Sequence, residues 1–120
     1  MGKQVDESAI RALVGGWPGV EADVKWQDDL VFSVAGKMFC CFCLRGSKAG
    51  GIGFKVDDDR FLELTDRPGF VPAPYLAKSK WVLVAEPGAL PSDEFAALLR
   101  RSYELVRAKL TKKLQRELAE

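Results

Sequence analysis

Cys40, Cys41 and Cys43 are the densest group of reactive side chains in this 120-residue chain. Side chains two apart on an extended segment share a face but lie about 7 Å from each other, a poor geometry for a disulfide. A Cys41–Cys43 pair would supply half of a zinc site, and the sequence offers no histidine and no further cysteine to complete it. The thiols are expected to pack as small buried apolar groups. The absence of histidine also removes Ser-His-Asp and Cys-His catalysis and the usual neutral-pH base. Asp57-Asp58-Asp59 lacks EF-hand spacing, and three acids suit the positive end of a helix. The chain therefore reads as a non-enzyme with no metal and no cofactor.

Binding chemistry is better represented. The stretch Arg67–Trp81 contains Pro68, Pro72 and Pro74 and no acidic residue. Each proline fixes φ and removes a donor, so an extended arm displaying Phe70, Tyr75, Lys78 and Lys80 is expected. Net charge is only +1, far from a strongly basic nucleic-acid binder. The charge is nevertheless segregated. Lys37, Arg45, Lys48 and Lys55 lie in one acid-free segment, and Arg67, Lys78 and Lys80 in another. If the two share a surface, these cations would neutralise phosphates, with Tyr75 and Trp81 available to lie against a backbone or base. The alternative is a solvated sheet face whose lysines keep strand edges from pairing. A third basic segment, Arg107 to Arg116, falls at a helix C-terminus, where the dipole accounts for it.

The elements that would position these groups follow from periodicity. Asp6–Val14 carries Ile10, Leu13, Val14 and Trp17 at helical spacing, with Asp6 or Ser8 as cap and Gly15-Gly16 as stop. Trp17-Pro18-Gly19-Val20 suits a type II turn. Ala22, Val24 and Trp26 alternate with Glu21, Asp23 and Lys25, predicting a strand with one buried face. Leu30–Val34, Met38–Leu44 and Ile52–Val56 complete an antiparallel meander, the second of these apolar on both faces. The glycines between Gly46 and Gly53 fit no phosphate-binding fingerprint and read as turn residues. A short helix follows from Asp57 to about Asp66, with Phe61 and Leu64 towards the sheet, and Trp81–Ala85 is a fifth strand. Ser92 is expected to cap the longest helix, striped by Phe95, Leu99, Tyr103, Val106 and Leu110. Thr111 marks a break, or the helix continues almost to Glu120. The fold class is α+β, one two-layer domain over residues 1–120 with an antiparallel sheet of about five strands and helices on one face, in the order α-β-β-β-β-α-β-α. No apolar run reaches the length of a membrane helix and no secretory signal opens the chain, so a cytoplasmic location is expected.

Several motifs resemble the MmcQ/YjbR family of small bacterial proteins. They are Trp17-Pro18-Gly19-Val20, Val24-Lys25-Trp26, Gly36-Lys37-Met38-Phe39, Pro68-Gly69-Phe70 with Pro72-Ala73-Pro74-Tyr75-Leu76-Ala77-Lys78, Trp81-Val82, and Ser102-Tyr103. The resemblance covers almost the whole chain in order. It implies a fold similar to secretion-chaperone-like and double-wing domains, and DNA as the partner. It also implies a functional surface around Tyr75 and Lys78 with Trp26, Lys37 and Trp81 beside them. The cysteine cluster departs from the family pattern, as does Val71, where a basic residue is expected. The DNA-contacting set expected from charge and resemblance together is Lys37, Lys48, Lys55, Arg67, Tyr75, Lys78, Lys80 and Trp81. The competing expectation is a protein-interaction module that binds a peptide or itself through Tyr75 and Phe70. A small-ligand site would need Tyr75, Lys78 and a carboxylate such as Asp28 to converge.

Overall fold

The computed structural model describes residues 7–25, 28–44, 50–73, 77–86 and 90–118. Alternating apolar residues build the middle of the sheet. In β2 (Asp29–Val34), Leu30, Phe32 and Val34 turn to one face, and Cys40 and Phe42 of β3 (Lys37–Cys43) join them. Ile52 and Phe54 of β4 (Ile52–Lys55) continue that layer. β1 (Val20–Lys25) precedes these strands, and the four form the expected antiparallel meander.

Helices cover the apolar face, with Leu114 and Leu118 of the last one packing at its margin. Ile10 and Val14 come from α1 (Glu7–Val14), and Leu64 from α2 (Asp58–Thr65). The longest helix, α3 (Ser92–Arg107), adds Phe95, Leu98, Leu99, Tyr103 and Val106. It stops where a tight turn closes over Ala108–Leu110, and α4 (Lys112–Leu118) starts afresh. Thr111 is thus a break: its hydroxyl accepts from the Leu114 N–H at 3.2 Å, as a helix cap does. Gly19, at φ +79°, turns α1 into β1, and a Cβ there would collide with a Leu118 methyl.

The remaining strands come from the proline-containing arm. β5 (Phe70–Pro72) runs antiparallel to β6 (Trp81–Val84), so the described residues form a six-stranded sheet in the order β1-β2-β3-β4-β6-β5. That is one strand more than expected, because only the proline at the free edge had to be tolerated. The Ala73 N–H donates to Trp81 C=O at 3.0 Å and the Ala85 N–H to Gly69 C=O at 3.3 Å. Phe70–Val84 and Pro72–Val82 are therefore the pairs that exchange no hydrogen bonds, and their outer backbone groups face away from β6.

Three expectations need correcting. Ala22 and Val24 do not form a buried face of β1; every residue from Glu21 to Lys25 is exposed, Val24 by 52%. β1 is an edge strand, and α3 packs mainly over β2, β3 and β4. Phe70 is not displayed but buried, because pairing with Val84 turns it beneath the helices. Ser92 is the first residue of α3 and not its cap; Pro91 holds that position, and the Asp93 carboxylate accepts from the Glu94 N–H.

One residue ties the two layers together at a flaw in the sheet. The β2–β3 register slips between Phe32 and Ser33, leaving Phe39 as an extra, bulged residue. The β3–β4 ladder ends beside it at Cys40–Phe54, so the Phe39 carbonyl and the Lys55 N–H lack each other. The fully buried Ser102 hydroxyl stands between them, donating to Phe39 O at 2.6 Å and accepting from the Lys55 N–H at 2.9 Å. Next to it Tyr103 meets Trp17 and Phe39 with ring centroids 5.2 and 5.5 Å away, and its hydroxyl donates to Pro18 O. Ser102→Ala would strand two backbone groups, each costing about 1–3 kcal/mol. Urea denaturation of that variant is expected to show a loss of about 2–6 kcal/mol.

Candidate nucleic-acid interface

The ends of three segments meet at one edge of the helix–sheet sandwich. β4 finishes at Lys55, which pairs with Trp81 at the start of β6. The Lys55 ammonium reaches across to donate to the Ser79 carbonyl at 2.5 Å, in the single 3-10 turn Ala77–Ser79 that precedes β6. Lys80 follows that turn in left-handed backbone, φ +63°, and its carbonyl accepts from the Val56 N–H. Its amine lies 5.2 Å from the centre of the Phe61 ring on α2. Lys109, in the turn after α3, approaches the same place.

Electrostatics show how tightly these amines are gathered. Partial burial lowers the Lys55 pKa, and the positive charges of Lys109 and Lys80 lower it further, with Asp58 opposing them. Two cations from other regions of the chain thus act on Lys55. Lys78 is exposed in the adjoining turn, and Lys37 is exposed where β3 begins, at the same end of the sheet.

The other expected contacts divide. Arg67 lies at the far end of the β5–β6 pair and is held by Glu94 through bonds of 2.8 and 3.1 Å, with its guanidinium over Phe70. It does not join the lysines. Trp81 is only 5% exposed; it packs with Ala73 and Leu83 and covers the space above Gly53, so it is unavailable to lie against a base. Lys48, Tyr75 and Trp26 lie outside the described residues. Lys109 was missed in the sequence because its basic run fitted a helix C-terminus. Its signal was the position just past the last helical turn, where the chain bends back towards the sheet.

The cysteines sit on both faces of β3. Cys40 is in the main core, whereas Cys41 and Cys43 are half-buried against the Trp81 cluster. Burial raises the Cys40 thiol pKa. Burial and the Asp29 carboxylate beside it push Cys41 up to about 12. These two are protonated packing groups at neutral pH, not nucleophiles. Among the described residues, no three His, Cys, Asp or Glu side chains gather as metal ligands.

The sandwich and its motifs define a small α+β domain whose signature residues meet in space, as Pro18 and Tyr103 do. Residues 15–105 match the YjbR family model, and the chain belongs to the YjbR family. It is similar to a solved structure of a Deinococcus radiodurans protein with a DUF419 domain, at 27% identity and TM-score 0.84, over 96% of this chain and 88% of that one. A Pseudomonas syringae protein shares the fold at 22% identity and TM-score 0.70, over 85% of this chain and 99% of that one. No curated protein matches the chain significantly. Among the described residues, no helix is long and apolar enough to cross a membrane.

Two outcomes follow. Hydrogen bonds from Arg101 to Asp57 and from Arg67 to Glu94 hold both carboxyls below their ordinary pKa values of 3.8 and 4.5. Their stabilisation is complete above those values and is lost as pH falls through the lowered folded pKa values. Melting temperature should decline on acidification below pH 4.5, less steeply in Glu94→Gln. Mass spectrometry after alkylation at pH 8 should find Cys40 and Cys41 unmodified in native protein and modified in urea.

Proposed function

We propose that this protein binds duplex DNA weakly and with little sequence preference, through phosphates seated at the lysine-rich end of the sheet. One observation carries the reading: Lys55 and Lys80 stand together where β4 ends and β6 begins, and after partial burial the charges of Lys109 and Lys80 lower the Lys55 pKa further. An anion among them offsets that repulsion, which gives the cluster a use that scattered surface lysines lack. Lys78 and Lys37, exposed at the same end, extend the contact along a backbone. Phosphate contacts fix position without reading sequence. Trp81 is buried, so no described aromatic among the expected contacts is offered to the bases.

Binding is proposed in preference to catalysis, since the cysteine chemistry is held in its protonated form. A net charge of +1 gives little long-range attraction, so affinity should be modest and steeply salt-dependent.

Fluorescence anisotropy with short labelled duplexes at falling ionic strength tests the reading. Binding should strengthen as salt falls, and Lys55→Ala and Lys80→Ala should each shallow the log–log salt slope by about one. Arg67→Ala should leave the slope unchanged, because that guanidinium is occupied by Glu94. A flat anisotropy at micromolar protein and low salt would remove DNA as the partner.

A further inference from the structure

β1 is an edge strand whose outer hydrogen-bonding rim meets no other described strand, and the rim's polarity can be read from one bond. The Ala35 N–H donates to Gly19 O at 3.4 Å, just beyond the Val20–Val34 pair. Val20–Val34 is therefore a pair without mutual bonds, and Glu21, Asp23 and Lys25 are the residues that bond to β2. The backbone groups of Val20, Ala22 and Val24 point the other way, to the free edge. The Val20 N–H is engaged by Trp17 O in the preceding turn. Ala22 and Val24 remain, each offering an N–H and a C=O that no described strand meets. The apolar side chains of both are exposed on the helix side, opposite Phe32 and Leu30. Buried polar groups demand partners, but an exposed strand rim also serves as a template for one more strand.

We propose that this edge pairs with the β1 of a second copy, antiparallel about a twofold axis at Asp23, to make one continuous sheet across the dimer. The axis must stand normal to the sheet, so residues that face each other share parity, and few registers are open. Centring on Ala22 calls on the engaged Val20 N–H and opposes Glu21 to Asp23 twice. Centring on Val24 uses only that residue's own bonds within the strand. Centring on Asp23 sets Ala22 against Val24 twice, which matches every free donor with a free acceptor. The same register places Glu21 opposite Lys25 twice, an ion pair on each side of the axis. Its one cost is Asp23 facing its own copy. The exposed Val24 covers the partner's Ala22. This self-complementarity, in hydrogen bonds and charge together, favours a second copy over an unrelated extended chain.

Sedimentation velocity across micromolar to millimolar protein reads the outcome. Wild-type protein should pass from monomer to dimer. Lys25→Glu should weaken the dimer about tenfold or more, the Glu21→Lys/Lys25→Glu double variant should restore it, and Asp23→Asn should tighten it. Val24→Pro removes an outward N–H while sparing the bonds to β2, and should yield monomer with an unchanged far-UV spectrum. Hydrogen exchange of the wild type needs no variant: the Ala22 and Val24 amides should be protected at high concentration and exposed at low. A monomer at all concentrations overturns the proposal. So does a dimer in which those amides exchange freely, or one that the charge swap fails to recover.

Discussion

A single hydroxyl at Ser102 governs how the two layers sit on each other. The sheet cannot continue its β3–β4 ladder past Cys40, because the bulge at Phe39 turns a carbonyl away from the amide it would have met. α3 supplies the missing rung from above, and its position along the sheet is set by that reach. An apolar stripe can slide by a turn at small cost, whereas two buried hydrogen bonds to opposite strands allow one placement. Tyr103, the next residue, locks the same helix to the turn before β1 through Pro18. Arg100 and Arg107 stack on that aromatic group from the helix surface, so the contact is closed from outside.

The same rung sets the place of the lysines. Lys55 is held through its own N–H by Ser102, and its ammonium is drawn to Ser79, so it has little freedom to retreat from Lys109 and Lys80. Exposed lysines ordinarily separate when they repel. Here one is tied at both ends, another stands over Phe61 in a backbone conformation rare for its type, and the backbone of the third is set by the turn that ends α3.

Much of this architecture was legible in the residues. The meander from β1 to β4, the apolar stripe of α3 and the acidic start of α2 follow from local periodicity and capping, which need no tertiary knowledge. What escaped depended on order in space. Alternation in β1 implied a buried face, but burial requires a helix overhead, and strand order decides which strands have one. Phe70 lay in a proline-rich stretch that reads as display; pairing with Val84 turned it inward. Arg67 and Trp81 looked like free contacts until the structure placed Glu94 beside one and Ala73 and Leu83 around the other. Ser102 stood out only as part of a family motif, and its role stayed hidden, since a small polar residue mid-helix is unremarkable until the bulge beneath it is known.

The two borders of the sheet are unlike, and the difference limits what the molecule can build. On β5 the outward N–H of Phe70 is spent on Arg67 O, and Pro72 has none, so that border accepts but cannot donate. Among the described residues, only the β1 side offers both donors and acceptors to a further strand. A protein with two open borders can polymerise without end, each added subunit exposing a fresh site. With one border blind, growth stops after a single joining, and point symmetry replaces the fibre.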